Sequence, residues 1–255
     1  MKYHPEFVDA FTYNEERYVK LKIQDIKINL HILGQYNEIS IFKKYFTELF
    51  TLILPLANAP KSTVNIQLYY IPKNKTLPKQ NEFIESKHIN SGYYIIDTIN
   101  IVIYRQEELY KVLTHELLHF FDVIPFSYEL QSMYENIFKS VRNTINVNEG
   151  LVEVNALILN CYIVSKLKNL NFNKLLQSEY EFSEKQVSKL LYQQNVSFND
   201  ILNDKFVWKE NTNAFSYFIL KHIFLYIYMK KRHEIKLPLP IKSSDTSIKM
   251  TLTSM

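Results

Sequence analysis

Thr114-His115-Glu116-Leu117-Leu118-His119 contains the pattern HExxH, and the fold is read outward from it. The two histidines are four residues apart. On an α-helix that spacing puts both imidazoles on one face, one turn apart, where they can share a metal. Glu116 points toward the same pocket rim, within reach of a water at that metal. One helical turn would then supply two zinc ligands and a general base. Gln106 to Leu113 lead into the motif. Leu109, Val112, Leu113, Leu117, Phe120 and Phe121 give the predicted helix an apolar side. The acidic residues ahead of it are expected in its first turn, where they suit the positive end of the helix dipole.

Upstream, Tyr93-Tyr94-Ile95-Ile96-Asp97 and Asn100-Ile101-Val102-Ile103-Tyr104 are β-branched and aromatic runs joined by a short turn region, and read as strands. Val64 to Ile71 reads as another strand. A helix is expected from about Glu38 to Leu54, ended by Pro55. Beyond Asn146 the chain reads as helices, with breaks at Asn169 to Asn173 and Asn195 to Asn199.

A hydrolytic zinc site usually has three protein ligands and one open position. The third ligand is sought downstream, in Asn148-Glu149-Gly150-Leu151-Val152-Glu153. Between His119 and Glu149 lie 29 residues, positions 120 to 148, enough for a loop or a short helix over Ser127 to Val141 and a return to the metal. Glu149 opens an apolar helical run and Glu153 follows one turn later. One of the two would be the ligand; the other would orient a histidine or bind substrate. Asp122, three after His119, is a candidate to accept an imidazole N–H. Tyr217 and His222, on a helix expected to run to about Met229, are candidates to stabilise an oxyanion.

Each assignment has a plainer competitor. His115 and His119 could be satisfied histidines on a buried helix. Glu149 could be a helix-start residue favoured by the dipole, Glu153 a solvated side chain, and Asp122 a helix-end residue before Pro125. An aromatic such as Tyr217 is usually core in a chain with 19 Tyr and 17 Phe. Gly92, one of three glycines, is expected where the backbone needs freedom, at the start of an edge strand that could line a substrate cleft.

HExxH followed by the NEGxxE segment resembles the gluzincin branch of the zincin metallopeptidases. That resemblance implies zinc held by His115, His119 and Glu149, one ion per chain, with Glu116 as the base that activates water. The Asn-Glu-Gly setting favours Glu149 over Glu153. The run from Ser91 to Arg105, leading into the motif helix, also looks like HExxH proteins encoded by large eukaryotic DNA viruses. The likeness covers roughly positions 60 to 160. The 29-residue gap departs from the best-known aminopeptidase branch, so exopeptidase specificity does not carry over. No HxxGxxH element runs on from His119, which disfavours the metzincins.

The rest of the composition narrows the class. A 255-residue chain with 47% hydrophobic residues can bury a large core. The net charge of +4 is mild and scattered, giving little support to nucleic-acid binding. The single cysteine, Cys161, excludes an internal disulfide and a cysteine-based zinc knuckle, and points to a reducing compartment, most simply the cytoplasm (host cytoplasm or virion for a viral protein). No apolar signal core opens the chain. Ala214 to Met229 is the most membrane-like stretch, but Lys221 and His222 interrupt it, so no stable membrane insertion is expected.

The sequence therefore predicts an α+β, zincin-like domain over residues 1–236. A small mixed or antiparallel sheet lies over the motif helix in an α/β part (1–125), a helical lobe spans 126–236, and 237–255 is a flexible tail, open to use as an interaction or targeting arm. The expected activity is zinc-dependent hydrolysis of a peptide or protein substrate. Its rivals are a catalytically inactive zincin-fold scaffold and a metal-free helical interaction protein with a chance motif.

Overall fold

From Val19 to Ile32 apolar and polar residues alternate, interrupted only at Gln24-Asp25, where Gln24 takes a left-handed backbone (φ 52°). That is a hairpin pattern, and β1 (Glu16–Ile23) and β2 (Ile26–Leu33) pair antiparallel with Ile23 opposite Ile26. The computed structural model describes residues 5–59, 61–141, 145–203, 205–230 and 245–255. The first helix, α1 (Glu6–Asp9), is a single turn ahead of the hairpin.

Helix α2 (Ile39–Ile53) crosses from β2 to β3 (Thr63–Tyr69), which runs parallel to β2. Its apolar face buries Phe42, Tyr45, Phe46, Leu49, Phe50 and Ile53 against Ile28, Leu30, Ile32, Val64, Ile66 and Leu68 of the sheet. Each fully buried side chain of this size contributes roughly 1.5–3 kcal/mol, so this layer anchors the N-terminal part. A short turn, α3 (Ser86–Ile89), precedes β4 (Gly92–Tyr94). β5 (Asn100–Ile103) lies parallel to β3 and antiparallel to β4. The sheet order is β1-β2-β3-β5-β4, a mixed sheet with β4 at one edge. The molecule is α+β.

The motif helix α4 (Leu109–Phe120) is buried along its whole length except at His119. Its start departs from expectation. Glu107 and Glu108 precede the first turn, and Glu108 sits left-handed (φ 61°). Both carboxylates are engaged elsewhere: Glu107 accepts the Lys75 N–H at 2.9 Å, and Glu108 pairs with the buried Lys75 ammonium. Helix α5 (Tyr128–Ile137) fills part of the gap before α6 (Val147–Lys168) and α7 (Phe172–Gln194). Asparagines punctuate these helices. Asn146 and Asn171 cap the starts of α6 and α7 with their side chains. Asn169 and Asn195 close their ends in the left-handed region (φ 53° and 56°). After α8 (Phe198–Leu202), a π-helical stretch, Phe215–Leu220, runs directly into α9 (Lys221–Lys230).

By length and composition it is α6, not 214–229, that could cross a membrane, but 61% of its apolar window is buried inside the fold. It is the core helix between the sheet side and the helical side, packed on α4, α7 and α9.

The expected flexible tail is corrected by the structure. Residues 237–244 lie outside the described residues, but 245–255 are packed into the molecule, with Ile248, Met250, Thr251 and Thr253 buried. Polar partners inside the fold account for this. Glu179 of α7 accepts from Thr251 Oγ1 at 2.7 Å and from the Leu252 N–H at 3.0 Å, while Lys221 of α9 donates to the Met250 carbonyl at 2.6 Å. A Ser- and Thr-rich composition looked unstructured because its partners are distant in sequence.

Candidate metal centre

The centre forms where α4 and α6 cross beneath the edge strand β4. Tyr45 from α2 supports α4 from behind: its hydroxyl lies 2.9 Å from Thr114 Oγ1 and donates to Asn160 Oδ1 of α6 at 3.0 Å. Gly92 lets β4 approach closely. A Cβ there would stand 2.6 Å from Ile103 Cδ1 and 2.8 Å from the Val102 carbonyl. Arg105, fully buried, donates to the backbone carbonyls of Lys73, Asn74, Lys87 and Asn90, and so fixes the loop that leads into β4.

The structure brings His115, His119 and Glu149 together, one potential ligand atom from each lying within 4.8 Å of the others. His115 Nε2 is 3.2 Å from Glu149 Oε2. His119 Nε2 is 3.4 Å from Glu149 Oε1, close enough for charge attraction, yet it is buried and makes no aligned hydrogen bond. The other nitrogen of His115, Nδ1, lies 2.8 Å from Glu153 Oε2. Glu153 is thus turned away from the shared point, and Glu149 faces it.

Glu116 is buried beside the trio and accepts the backbone N–H of Tyr94 from β4. Burial raises its carboxyl pKa against the pull of the two histidines. Tyr217 comes from the π-helical stretch, and its ring meets that of His115 edge-on at 5.8 Å. Its phenol is held well above the usual value by burial and by the carboxylates of Glu149 and Glu116, so it stays protonated. Asn90, Gly92, Tyr93, Tyr94 and Ile96 join these groups in lining a cleft of about 320 Å³.

The electrostatics suit a cation. Burial disfavours charge on His115, but its hydrogen bonds to Glu149 and Glu153 prevail and push it up to about 10. Burial likewise opposes charge on Glu149, and the hydrogen bond from His115 together with the attraction of both histidines prevails, holding it well below the usual carboxylate range. Two imidazoles and a carboxylate converge where positive charge is favoured, and one imidazole nitrogen there is orphaned. This is a nitrogen–oxygen donor set that fits zinc, which would displace the proton on His115.

Two candidates stand apart from this cluster. His222 is fully buried elsewhere, 3.2 Å from Ser183 Oγ and stacked on Tyr180 at 5.1 Å, both on α7. On a regular α-helix positions five apart already point in different directions, and here Tyr217 meets His115 while His222 packs on α7. Asp122 is exposed, in a left-handed turn (φ 47°), and its contact with His119 is through its own backbone N–H, 3.0 Å from the His119 carbonyl. The carboxylate on an imidazole Nδ1 is that of Glu153.

One functional candidate went unread. Lys111, one turn before His115, is buried with its ammonium on Glu153. A lysine on the apolar approach to HExxH was the available signal.

No protein-family model matches this chain, and no curated protein matches it.

Proposed function

We propose that this protein is a zinc-dependent peptidase of the zincin type, with a gluzincin-like ligand set. The observation that carries the reading is the convergence of His115, His119 and Glu149 beside the buried carboxylate of Glu116 in one cleft. The small mixed sheet on one side of α4 and the helices on the other support a zincin-like arrangement.

His115, His119 and Glu149 would hold the zinc, which when bound would polarise a substrate carbonyl and acidify a neighbouring water. Glu116 accepts the proton of the attacking water and returns it to the leaving amine. Its raised pKa fits both halves of that exchange. Tyr217, protonated and beside His115, donates a hydrogen bond to the carbonyl oxygen as negative charge develops. β4 stands at the edge of the sheet, where an extended peptide could pair.

The test is metal content and peptide hydrolysis of wild type, His115→Ala and Glu116→Gln. Wild type should hold one zinc per chain and His115→Ala none. Glu116→Gln should keep zinc while turnover falls by roughly 10²–10⁴-fold. Unchanged turnover in Glu116→Gln would remove the assigned base. Zinc without turnover in wild type would make the protein an inactive scaffold, and no zinc uptake would end the metal reading.

A further inference from the structure

We propose that Lys111 is a positioning residue for the metal centre, acting through Glu153 to fix the ring of His115, with segment 245–255 holding Lys111 in place. This rests on the zinc reading above.

Lys111 lies one turn before His115 on the same face of α4. It is 1% exposed, as is Glu153. Its ammonium donates to Glu153 Oε1, and the other carboxylate oxygen, Oε2, lies 2.8 Å from His115 Nδ1. Glu153 is therefore held at both oxygens, by a cation on one and an imidazole on the other. A carboxylate locked in this way presents one acceptor to Nδ1 in one orientation. That keeps the proton on Nδ1 and aims Nε2 at Glu149 and the shared point. At His119, among the described residues, the carboxylate contact is at Nε2, from Glu149.

The ammonium has a second neighbour, Met250 Sδ at 3.4 Å. Met250 is delivered by segment 245–255, whose backbone is tied to Lys221, Glu108 and Glu179. Glu108 in turn pairs with Lys75. Lys75, Lys111 and Lys221 thus face Glu108, Glu153 and Glu179, all buried. Each such ion costs several kcal/mol to desolvate, and a buried pair is often no better for stability than apolar residues of the same volume. Fold stability alone gives little reason for a lysine at this place. Its contact with the carboxylate behind a metal-binding histidine does.

The experiment measures zinc dissociation constants by chelator competition on the full chain. Wild type comes first, then Lys111→Met, Lys111→Gln, Glu153→Gln and the double variant Lys111→Gln/Glu153→Gln, each checked for folding by near-UV circular dichroism. Lys111→Met leaves Glu153 unpaired and risks misfolding; Lys111→Gln keeps a donor. Folded Lys111→Gln should bind zinc about 10–100-fold more weakly. The same change made in Glu153→Gln should have almost no effect, because the carboxylate through which Lys111 acts is gone. Wild-type affinity in folded Lys111→Gln would overturn the proposal, as would an equal loss in the Glu153→Gln background. Absence of zinc from wild type would overturn the metal centre itself, a failure distinct from either.

Discussion

His115 and His222 show how one residue type is given opposite tasks by its surroundings. Carboxylates on both ring nitrogens of His115 favour its charged form, whereas His222, among the described residues, meets Ser183 and Tyr180 and is repelled by Lys221. Burial depresses the His222 pKa to about 4. Between its unfolded value of about 6.5 and 4, the unfolded chain binds the extra proton. Stability from this residue is therefore full above pH 6.5 and is lost as pH falls through 4. The loss is roughly 3 kcal/mol. His222→Phe, which keeps a stacking ring, should flatten chemical-denaturation stability between pH 6.5 and 4. A slope like that of wild type would assign the acid sensitivity to other groups. At this scale HExxH was legible, because ligand spacing on a helix is a local property, whereas Glu149 and Glu153 stayed alternatives that only a family resemblance ranked. The separation of His222 was not legible, since it depends on what packs around each side chain.

Among the elements, α6 supplies both carboxylates that meet His115: Glu149 lies in its first turn and Glu153 in its second. Gly150 between them allows the helix to approach the π-helical stretch that carries Tyr217. A Cβ at Gly150 would lie 2.8 Å from Leu220 Cβ and 3.3 Å from the Ser216 carbonyl. Leu220 Cβ is fixed to backbone and cannot turn aside, so α6 must move. Gly150→Ala should cost about 1–3 kcal/mol and lower the melting temperature by several degrees. Glu149 moves with the helix, so zinc affinity should weaken as well. An unchanged melting temperature would show that the contact relaxes freely. Periodicity revealed α2, α4 and the strands around β5, because burial on one face imposes a local pattern. The π-helical stretch has no such signature.

On the scale of the whole molecule, segment 245–255 joins residues far apart in the chain. Glu179 accepts from Thr251 Oγ1 and from the Leu252 and Thr253 backbone N–H groups. Glu179→Ala would strand these donors in a dry setting, at a cost of roughly 3 kcal/mol or more. The segment should then become a site of rapid proteolysis in an otherwise folded protein. Resistance equal to wild type would show that apolar burial of Ile248 and Met250 suffices to hold it.

The sequence by itself determined the motif helix, the histidine pair with its glutamate, and the two candidate carboxylates downstream. Helical spacing and strand alternation follow from backbone geometry and need only neighbouring residues to be read. The tertiary structure decided which glutamate faces the histidines and which stands behind one of them. It also decided that Lys111 supports that glutamate and that 245–255 is packed inside the fold. These are polar pairings across 34 to 143 positions of chain, as from His115 to Glu149 and from Glu108 to Thr251. Their energy comes from excluding water around both partners at once, and no local stretch of sequence encodes that.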